Sequence, residues 1–314
     1  MKSNETTKEL LLQKTWCVCL LALVCCALWG SAFPCIKIGY QLFEITSDET
    51  ATQILFAGCR FVLAGLLAIL LGSLLSRKAL IPKKTSWGKI LWLSLLQTVL
   101  QYLFFYIGLA HTTGVKASII EGMNVFIAIL VASLLFRQEK LTSQKILGCL
   151  IGFAGVVLVN LTGSSIDLGL SLNGEGFILL STVAYAFSSV YIKKFSADEN
   201  PVILSGYQFV AGGLIMAACG FLMGGRLDVI TPAGIAMLLY LGFLSAVAYS
   251  LWGILIKYNP VSRVTVFGFM NPVCGVVLSA LLLGETDAVG IMSAAALVLV
   301  CAGIYLVNRG SGNH

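Results

Sequence analysis

The side chain whose chemistry stands out in this chain is Glu121, which alone among the 14 acidic residues lies well inside an apolar stretch. Arg60 lies at a comparable depth in an earlier apolar stretch. An ionisable group is costly to bury in hydrocarbon and usually serves a function there. We expect Glu121 to bind a proton or an organic amine, and Arg60 to hold the pKa of Glu121 or to bind an organic carboxylate. A structural ion pair between the two residues, or a glutamate that reaches into a polar vestibule, is the alternative.

A second group of residues shares the depth of this pair. Each is polar or aromatic and lies near the middle of an apolar stretch. A buried amide or indole needs a hydrogen-bond partner, which a central aqueous cavity would supply. We therefore expect these residues to line a binding cavity, although amides in membranes also bond between helices. The residues are Trp29, Asn124, Tyr185, Gln208 and Asn271.

The composition indicates a membrane protein. Hydrophobic residues make up 58% of the 314 residues and charged residues only 11%, whereas soluble domains carry roughly 25% charged residues. The ten cysteines form no CxxC motif, so we expect no metal site, disulfide framework or cofactor. The net charge of +6 comes without a basic stripe interleaved with aromatics. A lipid bilayer, and not a nucleic acid, is therefore the expected partner.

Ten apolar segments are long enough to cross a bilayer, which takes about 20 helical residues. No connection between them is long enough to form a separate soluble domain. Asn200 before Pro201 and Thr231 before Pro232 predict N-caps for the seventh and eighth helices. The predicted spans cover residues 16–40, 51–75, 87–111, 114–136, 143–162, 174–195, 201–223, 232–258, 262–284 and 288–308.

The ten helices form two units of similar sequence. Tyr102–Asn124 aligns without a gap on Tyr249–Asn271, and other helices match in the same order, which indicates duplication. Each unit has an odd number of spans, so the two units must be inserted in opposite orientations. Such inverted repeats are an architecture of secondary transporters, with the substrate site near the midplane between the repeats. The further matches are Trp29–Ser31 with Tyr185–Phe187, Arg60–Phe61 with Gln208–Phe209, and Ala154–Asn160 with Ala302–Asn308.

The basic residues predict the orientation of the chain. Alternate connections, counted from the N-terminus, contain 16 of the 20 Lys and Arg residues, and such connections stay on the cytoplasmic side. We therefore expect a multi-pass protein of the cell membrane with both termini in the cytoplasm. The predicted organisation is a tail over 1–15, five-helix repeats over 16–163 and 174–308, and a tail over 309–314.

Aromatic residues of the third and eighth helices suggest gates. Tyr102 and Phe105 lie late in the third helix, and Tyr249 and Trp252 occupy the matching positions of the eighth. Because the repeats are inverted, we expect the first pair toward the periplasm and the second pair toward the cytoplasm, as an outer and an inner gate. An interfacial aromatic belt or ordinary core packing is the alternative.

Short motifs recur in a fixed order along the ten spans. They are Trp29–Ser31, Arg60–Phe61, Asn124, Asn271–Pro272, and the glutamates Glu139 and Glu285 that follow the fourth and ninth helices. In this combination, residues 16–308 resemble the EamA branch of the drug/metabolite transporter superfamily. The resemblance implies export or exchange of small metabolites.

We expect the two glutamates to cap or bridge helices. Val125 of the fourth helix occupies the position equivalent to Pro272 of the ninth helix. No proline therefore supports a helix break in the first repeat.

Other classes of membrane protein find less support in the motifs. A membrane-embedded enzyme would need a reactive set such as DDxxD, HExxH or a Ser/His pair, and none is present. We therefore do not expect an enzyme, and a passive channel without alternating access is the other alternative. We expect a secondary transporter that exports or exchanges small metabolites, such as amino acids or related amines, by alternating access. Protons are the candidate coupling ion, and facilitated diffusion is the alternative.

Overall fold

The computed structural model describes residues 9–46, 48–109, 111–112, 114–161, 171–283 and 291–311. Within these ranges all regular structure is helical. Eight helices are long and apolar enough to cross a membrane, and two shorter apolar helices complete the ten expected spans. The chain is therefore an all-α, polytopic membrane protein, as the composition predicts.

The helices are numbered in chain order, and their bounds agree with the predicted spans within a few residues. The first five are α1 (Thr15–Leu42), α2 (Thr50–Ser76), α3 (Lys84–Leu109), α4 (Gly114–Gly122, Asn124–Leu130 and Val131–Leu135) and α5 (Ser143–Leu161). The second five are α6 (Leu172–Phe195), α7 (Pro201–Leu222), α8 (Pro232–Tyr258), α9 (Val261–Thr265, Val266–Phe269 and Met270–Leu283) and α10 (Ile291–Ser311).

Local hydrogen bonds explain where α7 and α8 begin. The Asn200 Oδ1 atom accepts a bond from the Val202 N–H at 2.9 Å. The Thr231 Oγ1 atom accepts a bond from the Gly234 N–H at 3.0 Å. The proline that opens each helix removes no helical hydrogen bond, because an N–H at that position has no partner within the helix. Both predicted N-caps are confirmed.

Four helices depart from regular α-geometry within the described ranges: α6 begins with a π-helical turn over Leu172–Gly176, and three others are irregular further along their length. α3 widens into a π-helix over Ser94–Leu100, α4 is interrupted at Met123, and α9 tightens into a 3-10 helix over Val266–Phe269. The break in α4 forms without a proline. There the Met123 N–H donates to the Ile120 oxygen at 2.9 Å, a bond to the third preceding residue that tightens the turn. The absence of a proline at Val125 therefore does not keep α4 regular.

Helix packing follows the two-repeat organisation. α2 packs along its counterpart α7, and α5 packs along its counterpart α10. The contacts of α1 with α8 and α9 are matched by the contacts of α6 with α3 and α4. Exchanging the repeats leaves this pattern of neighbours unchanged, as a pseudo-two-fold axis between inverted repeats requires.

Small residues allow these helix pairs to approach closely. A Cβ atom added at Gly58 of α2 would clash with the backbone nitrogen of Ala217 in α7. A Cβ atom added at Gly303 of α10 would lie 2.6 Å from the backbone oxygen of Gly148 in α5. Since lipid is as apolar as the helices, close van der Waals packing of this kind holds such pairs together.

Gly58→Val should destabilise the purified protein in detergent by about 1–3 kcal/mol, because the added side chain meets backbone that has to move. Gly88→Val is the matched control, since a Cβ atom at Gly88 meets no other atom within 4 Å. Thermal unfolding followed by circular dichroism measures the effect. Equal melting temperatures for the two variants would show that the α2–α7 contact is not tight.

Candidate functional site

A cavity of about 160 Å³ lies between the two repeats. Residues of α1, α2, α3 and α4 line it from the first repeat, and residues of α6, α8 and α9 line it from the second. Nine of the eleven residues predicted to bind substrate or to form gates are in its wall, and Gln208 and Trp252 are not. The nine are Trp29, Arg60, Tyr102, Phe105, Glu121, Asn124, Tyr185, Tyr249 and Asn271.

Glu121 lies just before the interruption of α4 at Met123 and is partly exposed to the cavity. Its carboxylate forms no hydrogen bond or ion pair with another residue in the described part of the chain. The ion pair between Glu121 and Arg60 that the sequence allows is therefore not formed. The carboxylate is available to a ligand.

Arg60 lines the same cavity from α2, but its partner lies on α8. The Nε and Nη2 atoms of Arg60 donate to the Ser245 Oγ atom at 3.3 and 2.9 Å. Both residues are buried, with Arg60 4% exposed and Ser245 0% exposed. Sequence reasoning missed Ser245. The available signal was its place four residues before Tyr249, which makes it the counterpart of Thr98.

The centre of the protein is built from residues that meet their own counterparts. The hydroxyl groups of Tyr102 and Tyr249 share a hydrogen bond of 3.0 Å. Phe61 and Phe209, which are also counterparts, stack with their ring centroids 5.3 Å apart. A contact between equivalent residues lies on the axis that relates the repeats. The tyrosine pair and the phenylalanine pair therefore mark the pseudo-two-fold axis.

In this structure Tyr102 and Tyr249 meet each other, and they are not separated toward opposite faces of the membrane as the gating prediction places them. Equivalent residues close to a two-fold axis meet each other, whereas equivalent residues further from the axis lie on opposite sides of it. Phe105 and Trp252 are equivalent residues that do not meet. Phe105 lines the cavity, whereas Trp252 is 3% exposed in the core beyond the tyrosine pair, with its ring 4.9 Å from Trp29.

Beyond the tyrosine pair, on the side where α8 ends and α9 begins, the two repeats pack into an apolar core. Residues of α4, α6, α8 and α9 contribute to it, so both repeats close this half of the protein. We call it the closed half. Its buried residues include Val125, Ile129, Val190, Leu255, Val264 and Phe267.

Glu139 adds polar contacts at the end of the closed half. Its Oε1 atom accepts a bond from the Ser262 N–H at 2.9 Å, and its Oε2 atom pairs with Lys145 Nζ at 2.9 Å. Glu139 therefore caps α9 and bridges the two repeats, as predicted. Glu285, the second glutamate of the motif, lies outside the described residues, as do residues 1–8 and 312–314 of the predicted tails.

Gln208 lies outside the cavity, contrary to the prediction. It is 0% exposed between α7 and α3. Its Oε1 atom accepts a bond from Thr98 Oγ1 at 2.8 Å, and its Nε2 atom donates to Gln97 Oε1 at 3.0 Å. Both partners belong to the π-helical segment of α3, which packs against α7. The interhelical bonding that the sequence also allowed is the arrangement found.

Three buried polar atoms of residues that line the cavity have no hydrogen-bond partner among the described residues. They are Trp29 Nε1, Gln101 Oε1 and Asn271 Oδ1. Leaving such an atom unpaired costs roughly 1–3 kcal/mol, so water or a ligand is the expected partner. Sequence reasoning missed Gln101, because its counterpart in the second repeat, Ala248, is apolar and no repeated polar position marks it.

The fold and the cavity define a class of protein, a polytopic membrane protein of two inverted helical repeats with a ligand-sized cavity between them. Within the described ranges, no group of three or more His, Cys, Asp or Glu residues could hold a metal ion. The model of the EamA-like transporter family matches residues 16–161 and 172–309, one stretch for each repeat. The chain therefore belongs to the EamA-like transporter family and is a membrane transporter.

Relatives in bacteria and archaea match nearly the whole chain. An uncharacterized transporter of Archaeoglobus fulgidus is 27% identical over 94% of this chain and 99% of its own. A probable amino-acid metabolite efflux pump of Salmonella typhimurium is 27% identical over 91% of this chain and 93% of its own. A solved crystal structure, 16% identical, aligns over 94% of this chain and 97% of that chain with a TM-score of 0.75, which shows a shared fold.

Removing either hydroxyl of the tyrosine pair, in Tyr102→Phe or Tyr249→Phe, should destabilise the protein by about 0.5–1.5 kcal/mol. The double variant should lose no more than one single variant, because the same bond is lost each time. Thermal unfolding of the wild-type protein, the two single variants and the double variant in detergent measures these losses. Tyr305→Phe, a change at a 63% exposed tyrosine of α10, serves as the control. Losses that add up in the double variant would contradict a shared bond.

Proposed function

We propose that this chain is a secondary transporter that exports or exchanges small amine-bearing metabolites, such as amino acids, across a cell membrane. The observation that carries the proposal is the position of Glu121. Its carboxylate lines a cavity between inverted repeats and has no partner among the described residues. A carboxylate placed in this way binds a cation, either an ammonium group or a proton.

Alternating access is the mechanism that the repeat symmetry supports. One side of the tyrosine pair holds the cavity, and the other side is the closed half. If the two repeats exchange conformations, the closed half opens and the present cavity closes. The irregular segments of α3, α4 and α9 offer places at which these helices bend during the exchange.

The size and the charges of the cavity support a compact substrate with both an amine and a carboxylate. An apolar cavity of about 150 Å³ holds benzene, so a cavity of about 160 Å³ suits a molecule with a single ring or a similar volume. Glu121 suits an ammonium group, and the rings of Trp29 and Tyr185 suit a cation or an apolar side chain. Arg60 brings the opposite charge to the same cavity. The relative from Salmonella named as a probable amino-acid metabolite efflux pump supports this class.

The distribution of Lys and Arg supports cytoplasmic termini, with tails over 1–15 and 309–314 and repeats over 16–163 and 174–308. In this orientation the cavity lies in the outer half of the membrane and the closed half faces the cytoplasm. The structure then corresponds to the state that releases an exported solute.

Efflux from reconstituted vesicles separates the two roles of Glu121. Vesicles are loaded with labelled phenylalanine, and efflux is followed with and without a pH gradient that is acidic outside. If Glu121 carries a coupling proton, the gradient speeds efflux by the wild-type protein, and Glu121→Gln loses this acceleration. If Glu121 binds only the ammonium group, Glu121→Gln raises KM by about tenfold or more, with no response to the gradient in either protein.

The control for this experiment is Glu44→Gln, which removes a carboxylate from an exposed connection and should leave flux unchanged. Undiminished flux with an unchanged pH response in Glu121→Gln would remove Glu121 from the mechanism. Flux that rises with concentration without saturating would favour a channel over a transporter.

A further inference from the structure

The buried contact between Arg60 and Ser245 has a counterpart in the other repeat. In the aligned repeats, Arg60 corresponds to Gln208 and Ser245 corresponds to Thr98. Arg60 Nη2 donates to Ser245 Oγ at 2.9 Å, and Thr98 Oγ1 donates to Gln208 Oε1 at 2.8 Å. The same contact between a hydroxyl and a longer polar side chain therefore occurs twice, once between α2 and α8 and once between α7 and α3.

The two contacts differ in charge and in their second partner. Gln208 is 0% exposed, and its amide N–H has a second acceptor in Gln97 at 3.0 Å. The counterpart of Gln97 is Leu244, which offers no acceptor to Arg60. Because a neutral amide is sufficient to join α7 to α3, the charge of Arg60 is not needed to join α2 to α8. The guanidinium charge is therefore available to a group other than Ser245, besides the adjacent Phe61 ring, whose centroid lies 5.3 Å from Arg60 Cζ.

The geometry of the Arg60 contact leaves one edge of the guanidinium group free. Its Nε and Nη2 atoms donate to Ser245 Oγ at 3.3 and 2.9 Å. A guanidinium group has five N–H donors, so two on Nη1 and one on Nη2 remain, without a hydrogen-bond partner in the described part of the chain. Nη1 and Nη2 together form an edge that binds a carboxylate through two parallel bonds. Arg60 lines the cavity, where such a carboxylate would lie.

A glycine brings Ser245 close to Arg60. Gly242 lies one turn before Ser245 on the same face of α8. A Cβ atom added at Gly242 would lie 3.1 Å from Leu63 Cβ and 3.6 Å from the backbone oxygen of Arg60. The missing side chain therefore allows α8 to approach α2 at the level of the guanidinium group. The Ser245 hydroxyl then lies within hydrogen-bond distance of it.

We infer that Ser245 positions Arg60 to recognise a carboxylate group on the substrate. The Ser245 hydroxyl holds the Nε–Nη2 edge, so that the Nη1–Nη2 edge is presented to the cavity. Ser245 itself does not touch the substrate and is a positioning residue. The inference rests on the proposed function, because it concerns the same cavity and adds a residue that determines specificity.

Three matched probes test this inference on the purified full-length protein in detergent. Phenylalanine carries an ammonium group and a carboxylate, phenethylamine lacks the carboxylate, and 3-phenylpropanoate lacks the ammonium group. Isothermal titration gives the dissociation constants, and stabilisation against thermal unfolding gives an independent estimate. The wild-type protein should bind phenylalanine more tightly than phenethylamine.

Ser245→Ala should raise the Kd of phenylalanine and of 3-phenylpropanoate by about five- to tenfold, since the guanidinium group must be ordered on binding. The Kd of phenethylamine should change by less than about twofold, which also shows that the variant is folded. Ser245→Thr keeps the hydroxyl and should restore tight binding of phenylalanine. Arg60→Gln introduces the residue found at the equivalent position of the other repeat, and it should abolish the preference for phenylalanine over phenethylamine.

Thr98→Ala is the matched control, because it removes the equivalent hydroxyl outside the cavity. It should lower the melting temperature and leave the ratio of dissociation constants unchanged. An unchanged ratio in Ser245→Ala, an equal loss for all three probes, or a retained carboxylate preference in Arg60→Gln would overturn this inference alone. Absence of binding of every probe to the wild-type protein would overturn the proposed substrate class and this inference together.

Discussion

The hydrogen bond between Tyr102 and Tyr249 joins two residues that are copies of one another, and the rest of the site is arranged around it. A side chain on the pseudo-two-fold axis has to be compatible with its own counterpart. Hydroxyl groups and aromatic rings satisfy this condition, whereas two like charges in contact would repel each other. The charged residues of the cavity, Arg60 and Glu121, are accordingly not duplicated as charges in the second repeat. Their counterparts in the second repeat, Gln208 and Gly268, are uncharged.

Much of this architecture could be predicted from the sequence, because the length of an apolar segment and the duplication of a pattern are properties of the chain itself. Depth along the helix also identified six residues of the cavity wall, since inverted repeats bring the middle of several helices to one level. The depth of a residue in the membrane does not reveal toward which neighbouring helix its side chain points. Gln208 has the predicted depth but lies on the α3 side of α7, where Thr98 and Gln97 bind it.

Other features depend on tertiary contacts that no local pattern reveals. A hydroxyl in an apolar helix commonly bonds to its own backbone, as Thr182 does to the Ile178 oxygen at 2.8 Å. Nothing local distinguishes Ser245, which instead accepts bonds from a helix of the other repeat. The contact between Tyr102 and Tyr249, which the sequence predicts to lie apart, has a similar origin. Symmetry predicts where a counterpart lies only when the distance of each residue from the axis is known, and the sequence does not contain that distance.

Under the proposed alternating access, the unequal counterparts Arg60 and Gln208 would affect the return of the protein without its cargo. If the repeats exchanged conformations, Arg60 would enter surroundings like those that Gln208 has now, fully buried and with Leu244 in place of the acceptor Gln97. A guanidinium group without an anion there carries a desolvation penalty of several kcal/mol. A bound carboxylate would offset that penalty. The loaded protein would then change state more readily than the empty one, and solute on the far side would accelerate release by trans-stimulation.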